Sequence, residues 1–295
     1  MAREQLDLPA DLGWNKMYIP EHMPSLTFIR THLFDHEDFN RASRISMQRI
    51  AGYMQWSGNV VNQPKFITND LFKNNTHRPF ATSMEYTMHP PLYEVSADWQ
   101  RSPCIIPSLI STRLVSTGRS TVDLETTIST VDSKQLLASL KCKFTFVDLQ
   151  TRKSDVLPES FKRAVSKYPT TQGLGRFTPV ERPPDVFQYS FRVRPSDTDF
   201  NKHTNNASYL QWCLDTASIA FLEGRLSSFT RDPLYFDVYQ MSMWYVGESF
   251  MGSLLSCSVW PDQKNLLMLH FVIESKGKIL FHCCIEFYSS RISKL

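Results

Sequence analysis

The sequence predicts an α+β protein made of two similar halves, each a run of antiparallel strands packed on one long helix. Three observations point there. Several segments alternate apolar and polar residues with period two, two segments show helical spacing ahead of such strands, and a short motif recurs once in each half.

The first half carries Asp38-Phe39-Asn40-Arg41, and the second carries Asp199-Phe200-Asn201-Lys202, an offset of 199 − 38 = 161. After the first copy, Met47, Ile50, Ala51 and Met54 recur at helical spacing, with Ser43 placed to cap the start. After the second, Leu210, Leu214, Ala217 and Phe221 do the same; Thr204 or Asn205 can cap that helix and Gly224 can end it. Strands follow. Val122, Leu124, Thr126 and Ile128 form one face, and Ala138, Leu140, Cys142, Phe144 and Phe146 another. In the second half the matching faces are Leu267 to Ile273 and Ile279 to Phe287, and the short link from Ser275 to Lys278 predicts a hairpin. Wrapping each sheet around its own helix and pairing the halves gives pseudo-twofold symmetry. The proline-rich stretch 149–184 reads as a linker. Residues 60–105 read as an addition to the first half with no counterpart after the second helix, either covering a groove or forming a surface loop.

Composition narrows the function. With 295 residues the chain has room for two domains, and 42% hydrophobic with 21% charged residues is an ordinary globular mix. A net charge of +3 without basic stripes argues against nucleic-acid binding. Only 10 glycines are present, and the tightest pair, Gly173-Leu174-Gly175, is followed by Pro179; neither a dinucleotide fingerprint nor a phosphate loop can be built. Gly-x-Ser-x-Gly is missing too, which argues against a nucleophile-elbow hydrolase. The N-terminus lacks a signal-peptide core, and no run of about 18 apolar residues predicts a membrane span. Six scattered cysteines without Cys-x-x-Cys fit reduced, buried thiols, so the expectation is a cytoplasmic protein. His36-Glu37 is not completed by a second histidine, and no metal or cofactor is expected.

The chemistry concentrates in residues 196–210, Ser-Asp-Thr-Asp-Phe-Asn-Lys-His-Thr-Asn-Asn-Ala-Ser-Tyr-Leu, just ahead of the second helix. A helix start offers free N–H groups and a positive dipole end, which favour developing negative charge. Asp199, Asn201 and His203 stand at spacing two, so an extended backbone would project them from one face, where they could hold and activate a water. The plainer alternative makes Asp199 and Asn205 turn and cap residues and His203 a loop histidine. At the offset of 161, His203 is matched by Ala42 while Asp38 and Asn40 persist, so one site per chain, in the second half, is expected.

The block Asp199-Phe200-Asn201-Lys202-His203-Thr204-Asn205-Asn206, with Leu114 to Ser120, Phe146-Val147-Asp148 and Leu157-Pro158 in the first half, resembles the acyl-ACP thioesterase family. The resemblance covers nearly the whole chain. It implies two tandem hotdog domains, 24–158 and 185–295, the second holding the site. It also implies hydrolysis of a fatty acyl thioester of acyl carrier protein or coenzyme A by an activated water, in fatty acid metabolism, with a homodimer allowed. By that resemblance His203 would polarise water or carbonyl, Asn201 orient one of them, and Asp199 fix the geometry. Amides near Asn205 and Asn206 would hold the oxyanion. The family's further carboxylate, from a strand after the helix, falls at Trp244, taken as substrate-binding; Asp237 and Glu248 are the nearest acids. A non-catalytic binder of acyl thioesters or lipids is the alternative, and dehydration of a hydroxyacyl thioester a weaker one.

Overall fold

A computed structural model describes residues 15, 17–33, 36–56, 65–72, 76–101, 106–198 and 204–289. The strands are β1 (Met17–Tyr18), β2 (Leu26–Leu33), β3 (His77–Met88), β4 (Ile106–Thr117), β5 (Thr121–Thr130), β6 (Leu136–Asp148), β7 (Phe187–Arg192), β8 (Val238–Tyr245), β9 (Leu254–Pro261), β10 (Met268–Ser275) and β11 (Lys278–Phe287). The helices are α1 (Met47–Trp56), α2 (Asn69–Phe72), α3 (Pro90–Arg101), α4 (Glu159–Val165) and α5 (Asn206–Leu222).

Among the described residues eleven strands form one antiparallel sheet, in the order β1-β2-β4-β5-β6-β3-β8-β11-β10-β9-β7. The halves meet where β3 pairs with β8, and there Met84 faces Met243. The sequence order reverses about that point: β2-β4-β5-β6-β3 on one side, β7-β9-β10-β11-β8 on the other. Both long helices lie on one face and touch each other, α1 against β5 and α5 against β7, β9 and β11. Period-two alternation decides which side chains join them. Met241, Met243 and Tyr245 turn toward α5, while Trp244 turns away. The hairpin between β10 and β11 forms as expected, with Lys276 at φ 51° and Gly277 at φ 76°, the doubly positive pair that suits the sheet twist.

The repeat is real, but its offset is 159. The 3₁₀ turns His36–Asp38 and Pro195–Asp197, the bridges Phe39–Ile45 and Thr198–Thr204, and the helix starts Met47 and Asn206 each differ by 159 (195 − 36, 198 − 39, 206 − 47). Met84 and Met243, which face each other on the pseudo-twofold axis, differ by the same count (243 − 84). Ser46 N–H donates to the Asp38 carbonyl at 2.7 Å and Asn205 N–H to the Asp197 carbonyl at 2.9 Å, again 159 apart (205 − 46). Asp38 is therefore the counterpart of Asp197, and the match of Asp38 with Asp199 is corrected. By that count Arg44, rather than Ala42, corresponds to His203.

Two other expectations change. Ser43 does not cap α1; it sits at φ 54° in a turn where the Asn40 side chain accepts from the amides of Ala42 and Arg44. Ser46 takes the cap, its hydroxyl accepting from Arg49 N–H at 3.4 Å. Nor is 60–105 wholly an addition, because β3 is the counterpart of β8. What is added is α3, which covers the turn before α1 by stacking Trp99 on Phe39 and bonding Tyr93 to the Val238 carbonyl.

The stretch read as a linker holds α4, with Phe161 and Val165 buried, and then crosses the face of the sheet opposite the helices. Thr171 N–H donates to Val115 of β4, and Gly173 lies against Asp123 of β5. Lys143 of β6 donates to the Leu174 carbonyl, and Phe177 stacks on Trp244 of β8 at 4.0 Å. Arg182 reaches Glu274 of β10 at 2.6 Å and Ser258 of β9 at 3.3 Å. Gly173 is required by close approach, since a Cβ there would overlap the Asp123 carboxylate and the Ser116 hydroxyl. Among the described residues no helix is long and apolar enough to cross a membrane.

Candidate active site

Asp199, Asn201 and His203 lie outside the described residues. Thr198 bridges to Thr204, so both ends of the intervening block are held side by side. Asp197 anchors the upstream end: its carboxylate accepts from Arg194 N–H at 2.7 Å, and its carbonyl accepts from Asn205 N–H at 2.9 Å and the Ser208 hydroxyl at 3.1 Å. Its side chain is buried and ion-paired with Arg194 at 3.3 Å. Thr204 anchors the downstream end, donating from backbone and hydroxyl to the Ser249 carbonyl.

Asn205 and Asn206 open α5, and they divide the work. Asn205 is exposed and is the N-cap, its side-chain oxygen accepting from Ala207 N–H at 2.9 Å. Its own amide is taken by Asp197. The amide of Asn206 is different: among the described residues nothing accepts from it, and it stands at the positive end of a 17-residue helix. Of the two amides expected to hold an oxyanion, only that of Asn206 has its proton to offer.

Asn206 also forms part of the wall of a cavity of about 190 Å³, which otherwise belongs to the first half. Met54 of α1, Met84 of β3, Leu124 and Thr126 of β5, and Leu140, Cys142 and Phe144 of β6 line it. It is a largely apolar chamber, with the Thr112–Thr126 hydroxyl pair in one wall and a polar corner at the start of α5. Burial pushes the Cys142 thiol far up, so it acts there as an apolar wall. The residue of β8 that turns to this corner is Tyr245, whose hydroxyl lies 3.4 Å from the Asn206 carbonyl and 4.0 Å from Met84 Sδ. Burial raises its phenol well above the ordinary range, so it keeps its proton at neutral pH.

Trp244 is not brought to this corner. It points to the opposite face of the sheet, stacked on Phe177 of the crossing segment, and its strand partner there is His282. Burial lowers the His282 pKa, which favours the neutral imidazole there. Asp237 precedes β8 at the end away from Tyr245, 3.6 Å from Arg44. Glu248 follows the end of β8, beyond Tyr245, and is held by Arg152, 2.6 Å from both its oxygens.

Sequence reasoning passed over Asp197, Tyr209, Tyr245 and Ser249. Tyr209 of α5 is buried, and its hydroxyl lies 2.8 Å from that of Ser249, which in turn lies 2.7 Å from that of Thr204. The sequence signal that finds them is the offset of 159: it sets Thr204 against Ile45 and Tyr209 against Ile50, so hydroxyls stand where the other half is aliphatic.

Comparison with known proteins bears on the same region. Residues 180–230 match the family model described as the acyl-ACP thioesterase C-terminal domain. No curated protein sequence matches the chain. Three solved structures share the fold. An acyl-ACP thioesterase from Bacteroides thetaiotaomicron aligns at 14% identity and TM-score 0.65, over 92% of this chain and 100% of its own. A protein assigned as an oleoyl thioesterase from Lactobacillus plantarum aligns at 15% and 0.69, over 90% and 97%. A 12:0-ACP thioesterase from Umbellularia californica aligns at 11% and 0.64, over 88% and 97%. Residues 180–230 thus match the acyl-ACP thioesterase C-terminal domain by sequence, and about nine-tenths of the chain shares the fold of these solved structures.

Proposed function

We propose that the protein hydrolyses fatty acyl thioesters, with Asp199, Asn201 and His203 activating the attacking water. The observation that carries this reading is the largely apolar cavity of about 190 Å³ whose wall reaches Asn206, at the start of α5. An acyl chain laid against Met54, Leu124 and Leu140 would bring its thioester carbonyl to a helix N-terminus. There an amide and a positive dipole end can take the negative charge of the tetrahedral intermediate. The block 199–203 lies just upstream of Asn206 in the sequence, which supports assigning its groups to the attacking water.

In this reading the halves are two tandem hotdog domains, 24–158 and 185–295. The first supplies the acyl chamber and the second the reacting groups. The chemistry runs in two moves. His203 takes a proton as water attacks the carbonyl, with Asn201 orienting the water and Asp199 holding the geometry, and returns it to the departing sulfur. Collapse of the intermediate then expels the thiolate of the phosphopantetheine arm, which is shared by acyl carrier protein and coenzyme A. A cytoplasmic role in fatty acid metabolism fits this chemistry.

The test is free-thiol release from palmitoyl-coenzyme A and from an acyl carrier protein thioester, with the unmodified protein beside Asp199→Ala and His203→Ala. Turnover lowered by about 10²-fold or more in both variants is expected. Absence of turnover with either donor, alongside measurable acyl binding, would refute hydrolysis and leave a binder.

A further inference from the structure

The internal repeat provides a comparison within one molecule. Each half has a 3₁₀ turn, a bridged loop and a buried helix, with every step 159 residues apart, and the two copies differ in what packs beneath the helix start. In the first half the positions are Ile45 and Ile50, exposed by 2% and 0%. In the second the same positions are Thr204 and Tyr209, exposed by 7% and 3%, and Ser249 is added at 2%. Ser249 corresponds by the same count to Pro90, which has no hydroxyl to offer (249 − 159 = 90).

The three hydroxyls form a closed set. Thr204 Oγ1 donates to the Ser249 carbonyl at 3.0 Å, Ser249 Oγ lies 2.7 Å from Thr204 Oγ1 and 2.8 Å from Tyr209 Oη, and Ser249 N–H donates to Tyr209 Oη at 3.1 Å. One assignment uses every proton: Thr204 to the carbonyl, Ser249 to Thr204, Tyr209 to Ser249. Burying three hydroxyls where aliphatic side chains fit the other half is not the cheaper way to hold a helix. What the network adds is direction, because hydrogen bonds fix angles that aliphatic packing leaves free. It ties the β8–β9 connection to the first residue after 199–203.

We propose that Thr204, Tyr209 and Ser249 are positioning residues for thioester hydrolysis, setting the start of α5 so that the Asn206 amide meets the thioester carbonyl. The proposal rests on the function proposed above. Because the triangle touches the helix start and not the acyl chamber, its loss acts on the reacting geometry and leaves chain binding in place. A misplacement of about 1 Å costs on the order of 10²-fold in rate.

The experiment measures kcat and KM for palmitoyl-coenzyme A hydrolysis by the full chain and by Tyr209→Phe, Ser249→Ala, Thr204→Val and Thr204→Ser. Ile50→Val is the control for a comparable core change in the first half, and His203→Ala reports on the parent reading. The expected result is kcat lower by about 10–100-fold in Tyr209→Phe, Ser249→Ala and Thr204→Val, with KM within about threefold. Thr204→Ser, which keeps the hydroxyl, should recover most of the rate, and Ile50→Val should leave kcat within about twofold. If His203→Ala is inactive while the triangle variants keep kcat within about twofold, the positioning role is overturned and the hydrolase stands. An inactive unmodified protein, or an unaffected His203→Ala, overturns both. Should one variant fail to fold, the remaining two decide.

Discussion

Substituting Gly173 by alanine tests whether the segment 167–184 is seated on the sheet or merely lies near it. The built Cβ would overlap Asp123 Oδ2 and Ser116 Oγ and come within 2.9 Å of Asp123 Cγ. Those two side chains share a hydrogen bond of 2.6 Å, and Asp123 is 4% exposed, so its carboxylate has no open solvent to swing into. Overpacking of this kind costs about 1–3 kcal/mol. Alanine also reduces the freedom of the unfolded chain, which offsets about 0.4–1 kcal/mol. The net expectation is a loss of up to about 2.6 kcal/mol, centred on about 1.3 kcal/mol. Gly175, two residues on, provides the control: nothing lies within 4 Å of a Cβ there, so Gly175→Ala is expected to be neutral or slightly stabilising. Urea denaturation followed by tryptophan fluorescence suits the assay, because Trp244 stacks on Phe177 of the same segment. A Gly173→Ala protein as stable as Gly175→Ala would refute the reasoning.

Two more predictions follow from groups around these features. Burial raises the Asp123 pKa above the ordinary carboxylate range, so the folded state holds that proton more tightly than the unfolded chain does. Stability from this group therefore falls as pH rises from the ordinary carboxylate pKa through the raised one, and is flat above it; in Asp123→Asn that dependence disappears, and the stability of the variant relative to the parent grows with pH over the same interval in urea titrations. An unchanged difference across those pH values would count against it. Removing the α5 cap with Asn205→Ala should cost about 0.5–2 kcal/mol, and Asn205→Asp should restore most of it, as read from urea midpoints; equal midpoints for the alanine and aspartate variants would count against capping.

Much of the fold is legible in the sequence because burial on one face imposes period two on strands and 3.6 on helices. Val122 to Ile128 and Ala138 to Phe146 announce β5 and β6, and Leu210 to Phe221 announces α5. The strand β3 escaped notice because it pairs on both sides at the junction of the halves, where burial depends on a partner 159 residues away. The offset was misread for a related reason. Asp38-Phe39-Asn40 and Asp199-Phe200-Asn201 match as letters, but the backbone counts from the bridges and helix starts, and those place Asp197 opposite Asp38. Residues 196–210 stood out as the chemical stretch since polar groups cluster ahead of a buried helix. Tyr209, Tyr245 and Ser249 did not, because a lone hydroxyl in an apolar run carries no local signature. Trp244 was expected at the substrate by counting along β8; alternation turns it to the far face and presents Tyr245 instead.

Met84 facing Met243 on the axis has a consequence for how such a molecule can change. In a dimer of identical chains every substitution occurs twice, so a buried hydroxyl useful beneath one helix must be tolerated beneath the other. Here the second copy is encoded separately, and the segment crossing the back of the sheet keeps the two copies in one chain. Ile45 and Ile50 can serve packing alone while Thr204 and Tyr209 take on a different task. The covalent link frees each half from being its own partner.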